Sequence, residues 1–80
     1  MRLLRMNEVT NKVGLKKAAI YGMIQEGLFP PQIKIGKASL WLEEEIDVII
    51  SLWVAQASKE EIKKTVQELV RKRKEQKVAV

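Results

Sequence analysis

All four glycines and both prolines of this 80-residue chain fall between positions 14 and 36. Glycine readily adopts the left-handed backbone that ends a helix, and proline lacks the N–H that a helix interior needs. Gly14, Gly27 and the pair Pro30-Pro31 therefore cut the first half of the chain into pieces too short for a long helix. Room for one opens only beyond residue 42. Such a chain must build a small core from several short elements.

Apolar spacing identifies those elements. Leu3 and Leu4 precede Met6, Val9 and Val13, which recur three and four apart on one face of a helix from about Asn7 to Val13. Gly14 ends it, and Leu15 starts a second unit. Residues 16–26 set Ala19, Ile20, Met23 and Ile24 on one stripe, closed by Gly27. Two short helices about a glycine-containing turn form the outline of a helix-turn-helix, an outline that other helical hairpins share. Gln32-Ile33-Lys34-Ile35 then alternates with period two, Gly36-Lys37 suits a turn, and Ser39-Leu40-Trp41-Leu42 reads as the return strand. Two strands alone are marginal in water, so this hairpin, or wing, must lean on helices.

A third helix is expected from Glu43 to about Ala57, burying Ile46, Ile49, Ile50, Trp53 and Val54. Glu43, Glu44 and Glu45 occupy its first turn, where the helix dipole favours negative charge, and are read as dipole partners rather than a metal site. Ser58-Lys59-Glu60-Glu61 has capping-box spacing, so a fourth helix should run from about Lys59 to about Gln76. Ile62, Val66, Leu69 and Val70 make its apolar edge. Glu60 with Lys64 and Glu68 with Lys72 are suitably spaced ion pairs. Arg71, Lys72, Arg73, Lys74 and Lys77 crowd its end, and Val78-Ala79-Val80 should fray. If Trp41 faces inward, Leu40 and Leu42 face outward, and the fourth helix is expected to cover them or to pair with another copy.

The expected fold is mainly α with a small β-hairpin: a winged helix-turn-helix over residues 1–57, followed by an amphipathic basic helix over residues 58–80. The chain has no cysteine and no histidine, which removes disulfides, thiolate metal sites and the usual general base. Ser39, Ser51 and Ser58 have no evident base, so no enzyme and no cofactor are expected. The most apolar window, Ile46–Ala57, contains Asp47 and falls short of the roughly 20 residues a spanning helix needs. No signal peptide is evident after Met1. A cytoplasmic protein without membrane contact is expected.

The net charge of +5 is segregated. Residues 1–42 carry a net +5, residues 43–57 a net −4 and residues 58–80 a net +4. A basic front half can collect a polyanion, double-stranded DNA among them.

From about Arg2 to about Ala57 the chain resembles the AlpA-type prophage regulatory proteins, small winged-helix relatives of the MerR DNA-binding domain and of phage excisionases. The resemblance is carried by Gly14-Leu15, Ile20-Tyr21, Ile24, Gly27, Phe29-Pro30, Lys34-Ile35-Gly36, Lys37, Trp41 and Glu45-Ile46. It implies DNA binding by a transcription regulator of a prophage or mobile element, with residues 16–26 as the recognition helix in the major groove and residues 33–42 as the wing on the backbone. It also implies an alternative output as an excisionase-like recombination directionality factor. Two departures thin the base readout. Where the family commonly has Ser-Arg-Ser-Thr, this chain has Lys16-Lys17-Ala18-Ala19, and where it often has a basic or polar residue after the tyrosine, this chain has Gly22.

Within that frame the candidate DNA-binding residues are Lys16, Lys17, Ala18, Tyr21 and Gln25 on the second helix and Lys34 and Lys37 on the wing. Lys17 suits guanine O6/N7 or a phosphate, Gln25 an adenine, and Ala18 a thymine methyl. Tyr21 has two readings: a hydroxyl on phosphate, or a ring packed beneath the helix. Lys34 and Lys37 suit phosphates. Trp41, Trp53 and Phe29 are assigned to the core. Further expected partners are a second copy through residues 59–77 and an integrase segment or RNA polymerase subunit. A rival role for Arg71–Lys74 is direct DNA contact.

Overall fold

A computed structural model describes residues 1–75. The elements run β1 (Leu3–Arg5), α1 (Met6–Val13), α2 (Lys17–Gln25), β2 (Ile33–Ile35), β3 (Ala38–Leu42), α3 (Glu43–Val54) and α4 (Lys59–Glu75). The fold is mainly α with a small sheet, compatible with a winged helix-turn-helix carrying an extra C-terminal helix. The expected fraying of residues 78–80 and the cation Lys77 lie outside the described residues.

One strand, β1, goes beyond the elements expected from the sequence. Leu3–Arg5 pairs antiparallel with β3, setting Leu4 opposite Trp41, Leu3 opposite Leu42 and Arg5 opposite Leu40. The sheet order is β1-β3-β2, which puts β3 in the centre. Three residues are too few to display alternation, and their conformation is set by a partner far along the chain. The Glu43 N–H extends the pairing by donating to the Arg2 carbonyl at 2.9 Å.

That strand also corrects the expectation for Leu40 and Leu42. Leu42 is buried and Leu40 half-buried. Arg5 and Ile33 stand opposite Leu40 and Leu3 stands opposite Leu42, and directly opposed residues on one sheet face lie within side-chain contact. The apolar edge of α4 goes elsewhere: Ile62 and Val66 join Leu4, Val9, Ile20, Phe29, Trp41, Ile46 and Ile49 in one core. At its centre the Trp41 indole N–H donates to the Pro30 carbonyl at 3.0 Å. Phe29 stacks on Trp53, with ring centroids 6.1 Å apart.

Local chemistry explains the helix ends. The Arg5 N–H donates to Glu8 Oε1 at 2.9 Å, half of a capping box that opens α1. Gly14, at φ 73°, closes it with its N–H on the Thr10 carbonyl. The Glu61 N–H donates to Ser58 Oγ at 3.1 Å, as expected at the start of α4.

Four details differ from expectation. Ala19 is exposed, leaving Ile20 as the buried residue of α2. Val54 is 79% exposed because α3 ends there and the chain reverses, with Gln56 at φ 56° and the Ala57 N–H on the Leu52 carbonyl. Glu68 pairs with Arg71 rather than Lys72. Among the described residues Glu60 and Lys64 form no ion pair; both are exposed, where such pairing is weak.

Candidate nucleic-acid interface

The buried side of α2 is narrow. Ile20 anchors it, with Met23 and Ile24 packed against the core. Tyr21 is half-buried, its ring 6.5 Å from that of Trp41 at an interplanar angle of 58°. That contact places the ring against the sheet and does not test the reading of its hydroxyl on phosphate. The other side of α2 is open: Lys16, Lys17, Ala18 and Gln25 are all exposed. A Cβ added at Gly22 would meet no atom within 4 Å. The open surface is therefore a smooth patch of Ala18, Ala19 and Gly22, with the lysines at one end and Gln25 at the other. Lys16 caps α2 without a side-chain hydrogen bond, because an ammonium has no acceptor.

The wing lysines stand beside this surface. Lys34 is opposite Ser39 in the hairpin, and its Nζ donates to Ser39 Oγ at 3.2 Å. Directly opposed residues share a sheet face, and side chains repeat every second residue. Lys34, Ser39 and Trp41 therefore lie on one face, the face that meets Tyr21 of α2. Lys37 is exposed in the turn after Gly36, whose φ is 60°. α2 and Lys34 thus lie on the same side of the sheet, with Lys37 at the hairpin tip.

The surface is basic, as α4 also is. Between residues 16 and 42 stand four lysines and one carboxylate, Glu26. Among the described residues none of Lys16, Lys17, Lys34 and Lys37 forms an ion pair. Three of the four carboxylates of α3, Glu43, Glu45 and Asp47, are engaged by other cations. Lys12 Nζ lies 2.9 Å from Asp47 and 3.2 Å from Glu43, and Arg2 lies 3.6 Å from Glu43. Hydrogen bonds to Asp47 and then Glu43 raise the Lys12 pKa above the ordinary lysine value. Glu45 is buried against Arg73 of α4. The acidic first turn of α3 therefore does more than complement a helix dipole. No local spacing announces these partners, since Lys12 and Glu43 are 31 residues apart and Glu45 and Arg73 are 28 apart.

Among the described residues no group of three His, Cys, Asp or Glu side chains is placed to hold a metal ion. Among those same residues no helix is long and apolar enough to cross a membrane.

Comparison with known proteins gives a consistent picture. The profile of the family described as "Prophage CP4-57 regulatory protein (AlpA)" matches residues 2–57. The "Uncharacterized protein ORF88" of Enterobacteria phage P4 is 40% identical over 55 residues, 68% of this chain and 58% of that protein. The chain thus spans little more than half the length of that relative. No solved structure matches.

Proposed function

The chain belongs to the AlpA family of prophage regulatory proteins, and from that premise we propose that it binds double-stranded DNA as a sequence-specific transcription regulator of a prophage or mobile element. Residues 1–57 carry the DNA-binding unit, and residues 58–80 form a C-terminal element added to it. The observation that carries this reading is the set of unneutralised lysines on α2 and the wing. Of the carboxylates on α3, Glu43, Glu45 and Asp47 are held by Arg2, Lys12 and Arg73.

In this reading α2 enters the major groove with its open face first. Small residues at 18, 19 and 22 let the helix approach closely, and Ala18 suits a thymine methyl. Lys17 reaches guanine or phosphate, and Gln25 is the remaining group able to pair with an adenine edge. Lys16, Lys34 and Lys37 hold phosphates, which fix register and carry little sequence information. Tyr21 sets the tilt of α2 through its packing on Trp41. With few base-reading groups, one subunit discriminates modestly. Repeated sites raise the discrimination. A homodimer through residues 59–77 would have to use the charged outer face of α4, because Ile62 and Val66 are inside the core.

A salt titration of duplex binding tests the proposal. Each phosphate neutralised contributes about 0.9 to the log–log slope, so four engaged lysines give a slope of about −3.6. Lys17→Glu should weaken every duplex complex. Absence of binding at low salt would refute the reading and favour an acidic protein partner, such as an integrase segment or polymerase subunit. A recombination directionality factor would use the same DNA surface. It is separated by assaying excision with the cognate integrase.

A further inference from the structure

The family profile ends at residue 57, and α4 begins at Lys59. One buried cluster ties this added helix to the DNA-binding unit. Arg73 Nε donates to Glu45 Oε2 at 2.9 Å, and one terminal nitrogen donates to Glu45 Oε1 at 2.6 Å. The same nitrogen donates to the Pro31 carbonyl at 2.8 Å. The Glu45 side chain is 5% exposed and that of Arg73 18%. Pro31 lies two residues before β2.

The loop between α2 and the wing depends on such outside help. Pro30 and Pro31 have no N–H, so neither can donate to a turn or a ladder. Their carbonyls are captured by side chains instead, Pro30 by Trp41 of β3 and Pro31 by Arg73 of α4. β2 has three residues and lies at the sheet edge. β2 is marginal on its own and depends on what it packs against.

We propose that Arg73 is a positioning residue, and that α4 is a brace fixing the root of the wing so that Lys34 and Lys37 meet the DNA backbone. The brace rests on the DNA-binding reading above. Arg73 acts through Pro31 and Glu45 and touches no DNA itself. The planar guanidinium suits the task, since one fork spans two carboxylate oxygens and a carbonyl. A lysine ammonium does not reproduce that geometry. The competing idea is that Arg73, within the basic run Arg71–Lys74, contacts phosphate directly.

The two ideas predict opposite signs for Glu45→Gln. If Arg73 were a phosphate contact, removing the carboxylate that neutralises it would tighten DNA binding. A brace loses its charged partner, the wing loosens and binding weakens. The experiment uses the full chain and a fluorescein-labelled random-sequence duplex, titrated at several salt concentrations, with folding checked by circular dichroism. Lys34→Gln with Lys37→Gln should reduce the salt slope by about 1.8. Arg73→Met should reduce it comparably, and adding the two wing substitutions to Arg73→Met should reduce it little further. Amide exchange at residues 33–42 should accelerate in Arg73→Met. If Arg73→Met fails to fold, Arg73→Lys and Glu45→Gln carry the same comparison. Tighter binding by Glu45→Gln, additive slopes, or an unchanged slope in a folded Arg73 variant would each overturn the brace. If neither the wing pair nor Lys17→Glu changes binding, the DNA reading itself fails. If the wing lysines matter and Arg73 does not couple to them, only the brace falls.

Discussion

Gly22 offers a clean separation of folding from binding. It sits inside α2, where glycine costs about 1 kcal/mol relative to alanine, and leucine is nearly as good a helix former as alanine. A Cβ at this position meets nothing within 4 Å, so the alanine has no clash to offset the gain, and the leucine starts from a Cβ in open space. Gly22→Ala and Gly22→Leu should each stabilise the fold by about 1 kcal/mol. For a domain of this size that raises the melting temperature by roughly 4–8 °C. DNA binding should respond differently. The alanine adds one methyl group to a smooth face and should change affinity little. In the proposed complex the leucine projects into the space the groove would occupy, and displacing the helix by its width would break the contacts proposed for Lys17 and Gln25. One lost base contact costs about 1–3 kcal/mol, so Gly22→Leu should bind about tenfold more weakly or worse. Thermal melts by circular dichroism and fluorescence anisotropy with duplex DNA measure the two quantities on the same samples. A leucine variant that melts higher and binds with unchanged affinity would show that the open face of α2 does not meet DNA. A variant that melts lower would show that this face is not open.

Two further perturbations test the folded frame. Leu4 is 2% exposed and contributes the inward side chain of β1, so Leu4→Ala should cost about 2–5 kcal/mol, measured by urea denaturation; a cost near zero would mean β1 does not hold the sheet. Lys12 has its pKa raised in the folded state, so its contribution is fully present below the unfolded lysine value of about 10.4 and is lost as pH rises through the folded value. Melting temperature should therefore fall more steeply above about pH 10.4 in the wild type than in Lys12→Met, and parallel profiles would remove Asp47 and Glu43 as its partners.

What the sequence discloses depends on how far apart the cooperating residues lie. α1, α2 and the hairpin follow from apolar spacing and from Gly14, Gly27 and Pro30-Pro31, all of which act within a few residues. Ser58 announces α4 for the same reason. β1 is illegible because Leu3–Arg5 is a strand only by virtue of Trp41 and its neighbours. Val54 continues the helical stripe of α3 in sequence and yet is exposed, since the chain turns away before anything can cover it. The candidate interface shows the same division. The exposure of Lys16, Lys17, Lys34 and Lys37 follows from local pattern, whereas placing Lys34 on the α2 side of the sheet requires the hairpin register and the Tyr21–Trp41 contact.

The charge pattern ties the distant pairs to the proposed DNA binding. Fields between exposed charges are largely screened beyond about 10 Å at 0.1 M salt, so a net +5 spread evenly would attract a polyanion weakly. Left unpaired, the four carboxylates of residues 43–57 would set a negative patch within the same small molecule. Folding directs Arg2, Lys12 and Arg73 onto three of them, Glu43, Asp47 and Glu45, and leaves Glu44 exposed. The cations drawn into these pairs come from the start of the chain, from α1 and from α4, and none comes from α2 or the wing. The elements between residues 16 and 42 are thereby left with four lysines against one glutamate. The acidic first turn of α3 would thus shape the proposed binding surface without belonging to it. Neutralising Glu45 therefore bears on DNA affinity through the Arg73 contact rather than through a longer-range change in field.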